Sequence, residues 1–217
     1  MVVRVLSRRR SAAAIEAAAP GALVLDVTSR GPQPWVRLSP FYPHGNIPVP
    51  LTPGVHAESV EGIWQALKVF EGADVDPGKL RVTSMTGLKR TVRRYGPVRG
   101  HRAGLTGRTL LGYAEARRRI YLPAYRWVLE HPAADLVTEL RRLAAERDVV
   151  LLDYTTNGDV ADERSPLSHA ALVRRFLLDD WPTGSATPDR PAEPERPAEP
   201  GRPAEPLASG GKTALGR

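Results

Sequence analysis

The sequence predicts an α+β domain in which helices predominate and a few short strands lie mainly at the front of the chain. Three observations favour this class. Residues 59–70 repeat apolar side chains at helical spacing, residues 114–147 contain two further helical patterns, and the apolar β-rich runs are short and few. We expect a single domain over residues 1–182, a length sufficient for a substantial core.

The first part of the chain contains two candidate strands and a long irregular loop. Residues 22–27 and 35–38 are short apolar runs, separated by the turn Gly31-Pro32. Prolines at 43, 48, 50 and 53 exclude a regular element there, because proline lacks the N–H that helices and ladders need. We therefore expect a shaped loop leading into the helix at residue 59.

The later elements are predicted from the spacing of apolar residues and from the positions of glycine, proline and capping residues. Residues 77–112 are rich in glycine and are predicted to be irregular. Residues 114–130 and 134–147 have helical patterns, and Pro123 is expected to kink or divide the first of them. Residues 149–154 form the best strand pattern, and Ser165-Pro166 predicts the start of a helix that ends near Leu178.

The last 35 residues have a different composition from the rest. The unit Arg-Pro-Ala-Glu-Pro occurs three times, beginning at Arg190, Arg196 and Arg202. A proline-rich segment with so few apolar residues cannot offset its ordering entropy by burial, so we predict that residues 183–217 are a disordered tail. This tail contains five basic and five acidic residues, and the formal net charge of +7 therefore lies on residues 1–182.

Composition excludes several classes of protein. The chain has no cysteine, which excludes disulfides, thiolate metal sites and cysteine nucleophiles. Its five histidines are not closely paired, so we expect no metal site and no redox cofactor. No run approaches the roughly 20 apolar residues of a membrane span, and we expect a cytoplasmic protein.

The helix at residues 59–70 carries two side-chain stripes. One is apolar and is predicted to face the core: Val60, Ile63, Trp64 and Leu67. The other is polar and begins one residue later: Glu61, Gln65 and Lys68. A Glu beside a core face can line a cleft, where loss of water raises its pKa and suits proton transfer. The alternative is a solvated helix flank on which Glu61 and Gln65 hydrogen-bond in water.

Residues 35–70 resemble the NADAR (NAD- and ADP-ribose-associated) family. Its members pair a Ser-x-Phe-Tyr-Pro-like strand end with a short loop and a helix that begins Ser-Glu-x-x-x-Gln-Ala-x-Lys-Phe. The matching positions are Ser39, Phe41, Tyr42, Glu61, Gln65, Ala66 and Lys68, with Phe70 one place late. The family's closing Asp, Trp-Gly and Leu-Met motifs are absent, and Asp153 or Asp159 stands in the corresponding region.

The resemblance implies a NADAR-like fold and hydrolysis of an N-glycosidic bond in ADP-ribosyl or phosphoribosyl compounds. A fixed carboxylate beneath C1′ stabilises an oxocarbenium-like ribose and orients water. We assign this role to Glu61, with Asp153 as the second catalytic candidate. Lys68 is placed about 10 Å along the helix from Glu61, for a phosphate or ribose. Ser39 and Phe41 from the first motif are further contacts, and Gln65 would hold the carboxylate or a ribose hydroxyl. Tyr42 and Trp64 would stack on a base, and Asn46 would contact the leaving group. Trp64 could instead be a core residue and Asn46 a turn residue.

Two other regions supply candidate ligand contacts. The basic, glycine-rich stretch includes Arg99, His101 and Arg102, and its guanidinium groups suit phosphate oxygens. It could equally be a solvated basic surface. Asn157 follows the best strand, and His169 lies in the first turn of a helix, whose dipole disfavours protonation. His169 could also be a satisfied core histidine.

Three functions remain open at this stage. The first is the metal-free N-glycosidase, whose partner is a phosphate-bearing, nucleotide-like molecule or an ADP-ribosylated macromolecule. The second is a non-catalytic module that binds nucleotide or ADP-ribose, which the missing late motif favours. The third is a basic nucleic-acid-binding protein, whose affinity would fall steeply as salt rises. No membrane partner is expected.

Overall fold

A computed structural model describes residues 2–182. Its strands, in chain order, are β1 (Val3–Ser7), β2 (Leu23–Asp26), β3 (Ile47–Pro48), β4 (His56–Ala57), β5 (Lys68–Phe70), β6 (Val98–Arg102), β7 (Leu110–Leu111) and β8 (Val149–Asp153). Its α-helices are α1 (Ala12–Ala18), α2 (Val60–Leu67), α3 (Val92–Tyr95), α4 (Tyr113–Ala116), α5 (Leu122–Glu130), α6 (Ala134–Glu146) and α7 (His169–Leu177). Short 3₁₀ turns cover Trp35–Leu38 and Pro77–Arg81, and a π-helical turn covers Arg117–Tyr121.

The predicted α+β class is confirmed, with about 38% helix and 16% strand. The described residues form one compact unit. The tail that the sequence predicts to be disordered lies outside the described residues. Within residues 2–182, every helix is too short or too polar to cross a membrane.

The largest sheet is parallel and has the order β1-β8-β2. Leu151 in β8 pairs with Val5 on one side and with Leu25 on the other. All five residues of β8 are buried, as expected for the central strand of a parallel sheet. Since the three strands run the same way, their carboxyl ends meet at one edge, where loops in such sheets commonly form a site.

Two smaller antiparallel sheets lie mainly in regions predicted to be irregular. β3, in the proline-rich loop, pairs with β4, which follows that loop. In the glycine-rich stretch, β6 pairs with β7 and also with β5, which occupies the end of the helix predicted over residues 59–70. Gly100 in β6 has φ +148°, and a Cβ atom there would lie 2.5 Å from the Leu111 carbonyl oxygen. The missing side chain at Gly100 therefore permits this strand pairing, in a stretch whose many glycines predicted an irregular structure. Residues 35–38, predicted to be a strand, form a 3₁₀ turn instead.

Helix α2 begins at a side-chain cap and ends earlier than predicted. The Ser59 hydroxyl accepts a hydrogen bond from the Gly62 N–H at 3.0 Å, which satisfies a free donor of the first turn. The helix ends at Leu67, because Lys68 adopts an extended conformation (φ −69°, ψ 129°) and starts β5. The estimate of about 10 Å between Glu61 and Lys68 assumed a continuous helix and does not apply.

Helices α4 and α5 form one rod that is interrupted by the π-helical turn. The Leu122 N–H donates to the Arg117 carbonyl, five residues back. Pro123 follows at once and has no N–H to give to Arg119. The predicted disturbance at Pro123 is therefore present as a widened turn before it.

Helix α7 starts later than the sequence suggests. Ser168 is its N-cap, and the hydroxyl accepts a hydrogen bond from the Ala171 N–H at 3.1 Å. Ser165-Pro166, predicted to be the cap, lies in the preceding loop. The helix packs on β1 and β8 and fixes the end of the parallel sheet.

Candidate functional site

A pocket of about 780 Å³ lies where the carboxyl ends of the parallel strands meet α2 and the rod of α4 and α5. Its volume is within the usual range for small-molecule sites. The structure brings eight of the sequence-predicted site residues to its wall: Ser39, Phe41, Glu61, Trp64, Gln65, Lys68, Asp153 and His169. Residues that are 130 positions apart in the chain therefore share one cavity.

Glu61 is the central acid of this wall. Glu61 is only 8% exposed, and Gln65 Nε2 donates a hydrogen bond to Glu61 Oε1 at 2.8 Å. Burial raises the pKa of the Glu61 carboxyl above its ordinary value, although the hydrogen bond from Gln65 and the nearby charges of Lys68 and Lys89 oppose the shift. The polar stripe of α2 thus faces the cavity and not bulk water.

Gln65 is held from behind by Arg90. The Arg90 N–H donates to Gln65 Oε1 at 2.9 Å, which fixes the amide so that its nitrogen faces Glu61. Arg90 is 6% exposed, and its guanidinium donates to the main-chain carbonyls of Gln65, Lys68 and Asp74. Arg90 therefore braces the junction of α2 and β5.

Lys68 is half-buried on the same wall. Burial lowers its pKa, Glu61 acts in the opposite direction, and Lys89 and Arg90 add to the lowering. Its Nζ lies 5.9 Å from the centroid of the Trp64 ring. Lys68 was predicted to lie about 10 Å from Glu61, too far for direct pairing. In the structure both side chains line the same cavity, and Lys68 follows the end of α2 with an extended backbone.

Trp64 lines the pocket and His101 does not. Trp64 was predicted to stack on a base or to be a core residue; it is half-buried, packs against the core and also lines the pocket. His101, predicted to contact ligand, is 1% exposed and lies behind Trp64, with ring centroids 3.8 Å apart. Burial first, and then Lys68, lowers the pKa of His101 to about 3, so the ring is neutral. His101 supports Trp64 and does not reach the cavity.

Asp153 and His169 form a buried pair at the end of β8. His169 Nδ1 lies 3.0 Å from Asp153 Oδ2, and Nε2 lies 2.9 Å from the Val27 carbonyl oxygen. Both neighbours are acceptors, and only the protonated imidazole, with hydrogen on both ring nitrogens, can donate to both of them. Burial opposes this charge, but Asp153 and the Val27 carbonyl outweigh it, and the pKa of His169 is raised. The expectation that the helix dipole keeps His169 neutral is wrong.

The remaining acceptor sites of Asp153 are also used. Oδ1 accepts from the Tyr154 N–H at 2.6 Å, and Oδ2 accepts from the Ser168 hydroxyl at 2.7 Å and from the Ala170 N–H at 3.3 Å. Burial raises the pKa of Asp153, but His169 and these donors outweigh it and hold the pKa below its usual value. Asp153 therefore anchors α7 to the sheet, a geometry that does not suit the catalytic role predicted for it.

Arg99 and Arg102, predicted to contact phosphate, do not reach the pocket. Arg99 forms an exposed ion pair with Glu71 at 2.7 Å. Arg102 pairs with Asp74 at 2.8 Å. Both belong to β6, which turns these side chains towards acidic partners next to β5. Their charge is thus partly neutralised, which weakens the hypothesis of a continuous nucleic-acid-binding face.

Three other candidates also lie away from the cavity wall. The Tyr42 ring packs on His44, with centroids 4.8 Å apart. Asn46 has φ +55°, which makes it a turn residue, the alternative given above. Asn157 Nδ2 donates to the carbonyl oxygens at positions 162 and 165, so it shapes the loop before α7.

Several residues that line the pocket were not predicted from the sequence. Arg9 follows β1 and Arg30 follows β2. Tyr113, Arg117 and Tyr121 come from the helical rod. A parallel pairing of the N-terminal strands with β8 would have pointed to Arg9 and Arg30, since residues after parallel strands gather at one edge.

Charge in the pocket is predominantly positive. Six cationic side chains line it: Arg9, Arg30, Lys68, Lys89, Arg90 and Arg117. The acids are Glu61 and Asp153, and Asp153 is neutralised by His169. In residues 2–182, no group of three or more His, Asp or Glu side chains is placed to hold a metal ion. The cavity therefore suits an anionic ligand with a planar part that packs against its aromatic rings.

Replacing Glu61 by Gln should stabilise the fold by about 0.5–2 kcal/mol near pH 8, the range of single stabilising substitutions, because it removes a desolvated charge. Because the folded pKa of Glu61 is raised, its contribution to stability is full below the unfolded value of about 4.3 and is lost as pH rises through the folded pKa. Urea unfolding at pH 4.5 and pH 8 measures this. A difference between variant and wild type that does not grow with pH would contradict it; exposed Glu115→Gln is the control.

No curated protein sequence matches the chain. A family model described as "Family of unknown function (DUF6939)" matches residues 7–173. This range contains all the residues that line the pocket and every strand and helix except most of β1 and the end of α7. The chain belongs to the DUF6939 family.

Proposed function

We propose that this chain hydrolyses the N-glycosidic bond of an ADP-ribosyl or phosphoribosyl compound, with the Glu61 carboxylate acting at the ribose. The observation that carries the proposal is the placement of Glu61. A nearly buried carboxylate lies on the wall of a large cavity whose other charges are mostly positive. The partial resemblance to the NADAR family supports the same reaction.

The chemistry asked of Glu61 is electrostatic. As the C1′–N bond lengthens, positive charge develops on the ribose, and a fixed carboxylate stabilises it more than it stabilises the neutral ground state. Gln65, itself held by Arg90, fixes the carboxylate, so little reorganisation is needed. The same carboxylate can accept a proton from the attacking water, and its raised pKa improves it as a base.

The cationic residues supply the anion-binding part. Arg30 and Lys89 are exposed at the mouth of the cavity, and Lys68 lies deeper on the wall beside Glu61. Phosphate oxygens carry the charge that such groups bind. Trp64 offers a ring face for a base, with Phe41 as a second apolar surface.

A non-catalytic module that binds the same ligand is the second candidate. It is favoured by the state of Asp153, whose acceptor sites are engaged by His169, Ser168 and the main chain. Among the pocket residues that the structure describes, Glu61 is then the one acid available, without a second carboxylate to share the proton transfers. Binding without turnover is the outcome that this alternative expects.

The experiment is a base-release assay with a matched binding measurement. The protein is incubated with NAD, with small and macromolecular ADP-ribose conjugates, and with phosphoribosylated pyrimidines, and released base is measured by chromatography. ADP-ribose binding is measured by calorimetry at low and high salt. Base release supports the hydrolase; salt-tolerant binding without release supports the module. Neither release nor binding overturns both.

A further inference from the structure

Three pocket residues lie four positions apart on the helical rod: Tyr113, Arg117 and Tyr121. In a regular α-helix, each step of four residues exceeds one turn by about 40°, so the third side chain would be rotated by about 80° from the first. The π-helical turn spans Arg117–Tyr121 and has more residues per turn than an α-helix. The four-residue step from Arg117 to Tyr121 is therefore less than one full turn, and it offsets the excess rotation of the step from Tyr113 to Arg117. The turn thus keeps all three side chains on the face of the cavity.

The sequence gives a physical cause for this turn. The ring of a proline clashes with the carbonyl four residues earlier, and Pro123 would meet Arg119 in a regular helix. The widened turn relieves the clash, and the Leu122 N–H bonds to the Arg117 carbonyl instead. Single π-turns inside α-helices are frequent at functional sites. Here the turn determines where Tyr121 points.

The hydroxyl groups of Tyr121 and Tyr125 have different surroundings. Tyr125 is 0% exposed, and its hydroxyl donates to the Leu38 carbonyl at 2.6 Å. Tyr121 is half-buried, and within residues 2–182 its hydroxyl has no hydrogen-bond partner while retaining access to the cavity. The two rings stack with centroids 6.0 Å apart, so they share one local scaffold. Of these two hydroxyls, that of Tyr121 is the one without a partner in residues 2–182 and on the wall of the cavity.

The neighbours of Tyr121 match the reacting end of the pocket. Its ring packs edge-on against Trp64, with centroids 5.8 Å apart. Burial raises the pKa of the phenol well above its usual value, and the charges of Glu61 and Asp153 raise it further. The phenol therefore keeps its proton and acts as a hydrogen-bond donor beside the ring on which a base would stack.

We propose that Tyr121 is a further catalytic residue, whose hydroxyl donates a hydrogen bond to the departing nitrogenous base; the catalytic part of this inference rests on the proposed hydrolysis. As the C1′–N bond breaks, its electron pair passes to nitrogen, and the phenol stabilises the negative charge that develops there. Water then bonds to C1′ through oxygen. Its proton finally resides on the base, and Tyr121 keeps its own.

This role predicts a dependence on the leaving base. Nicotinamide leaves NAD as a neutral molecule and needs no donor, whereas an amide-type base leaves with negative charge. Tyr121→Phe should therefore lower the turnover of phosphoribosylated pyrimidines by about 10–100-fold, the range expected for a hydrogen bond to a charged group. The loss for NAD should be less than about threefold by the same reasoning.

Tyr125→Phe is the matched control, with the same substitution one turn further along the rod. It removes a buried hydrogen bond, so its Tm should fall by about 2–6 °C for a domain of this size, with turnover unchanged. Tyr121→Phe should leave the Tm unchanged or higher. A variant at 121 that loses stability like the variant at 125, or that keeps full turnover of pyrimidine substrates, overturns the inference.

A binding measurement separates this inference from the proposed hydrolysis. Free uracil, adenine and nicotinamide are titrated into the wild type and both variants by calorimetry. If the wild type releases no base but binds one, and Tyr121→Phe weakens that binding at least about fivefold, hydrolysis is rejected and Tyr121 stands as a contact to the base. If no base binds and none is released, both proposals fall.

Discussion

Glu61→Gln should reduce the turnover of an N-glycoside substrate by about 10²–10⁴-fold and leave the affinity for ADP-ribose within about threefold of the wild type. The amide keeps the size and the hydrogen-bonding reach of the side chain towards Gln65. It carries no negative charge, so it cannot stabilise a cationic ribose or accept a proton from water. Because Asp153 is engaged elsewhere, no second acid in the pocket compensates.

Single-turnover kinetics and calorimetry measure the two quantities separately. Glu115→Gln is the control, since Glu115 is exposed and pairs with Arg119 on the outer face of the rod. In the wild type, turnover should fall on the acid side as Glu61 becomes protonated, with a midpoint above the ordinary glutamate value of about 4.3, because burial raises the pKa. Equal turnover in wild type and Glu61→Gln would remove Glu61 from the mechanism.

Asp153→Asn should lower the free energy of unfolding by about 3–5 kcal/mol near pH 5.5, the cost expected when one partner of a buried ion pair is removed. An amide nitrogen in the place of Asp153 Oδ2 would be a hydrogen-bond donor facing three other donors, because Ser168, Ala170 and His169 all direct hydrogen towards that atom. It would also leave the imidazolium of His169 without its counter-charge. The corresponding fall in Tm is about 6–20 °C.

The effect has a defined pH window. The pKa of Asp153 is lowered in the folded state, so its contribution is present above the unfolded value of about 3.9 and is lost as pH falls through the folded pKa. The pKa of His169 is raised, so its contribution is present below about 6.5 and is lost as pH rises through the folded pKa. The cost of Asp153→Asn should therefore be greatest between these values.

Asp135→Asn is the matched control for this prediction. Asp135 also belongs to an ion pair, with Arg37, but its side chain is 59% exposed. An exposed ion pair is typically worth less than about 1 kcal/mol, because water screens the two charges. Urea unfolding followed by circular dichroism compares the two variants. Similar costs at 135 and 153, or a cost at 153 that is independent of pH, would contradict the buried ion pair.

Helix α2 could be predicted because its signal is local. The apolar spacing places Val60, Ile63 and Leu67 inside, and the next stripe places Glu61 and Gln65 on the cavity wall. The end of the helix could not be predicted in the same way. No glycine or proline marks it, and the pairing of Lys68 with His101 in β5 and β6 extends the backbone there.

The other half of the site depends on contacts between distant parts of the chain. His169 meets the Val27 carbonyl across 142 positions, and this contact and Asp153 determine its protonation. Arg9 and Arg30 enter the pocket because β1 and β2 are both parallel to β8. A short apolar run shows that a strand exists but not which strand it pairs with, so neither result follows from local pattern.

The order β1-β8-β2 has a consequence for synthesis on the ribosome. The two N-terminal strands do not pair with each other, and about 120 residues separate the end of β2 from the start of β8. At roughly 5–20 residues per second, translation of that interval takes about 6–25 s. During this time both strands lack their ladder partner, and their apolar side chains are available to chaperones or to neighbouring nascent chains. Emergence of β8 is thus the event that commits the beginning of the polypeptide to its native arrangement.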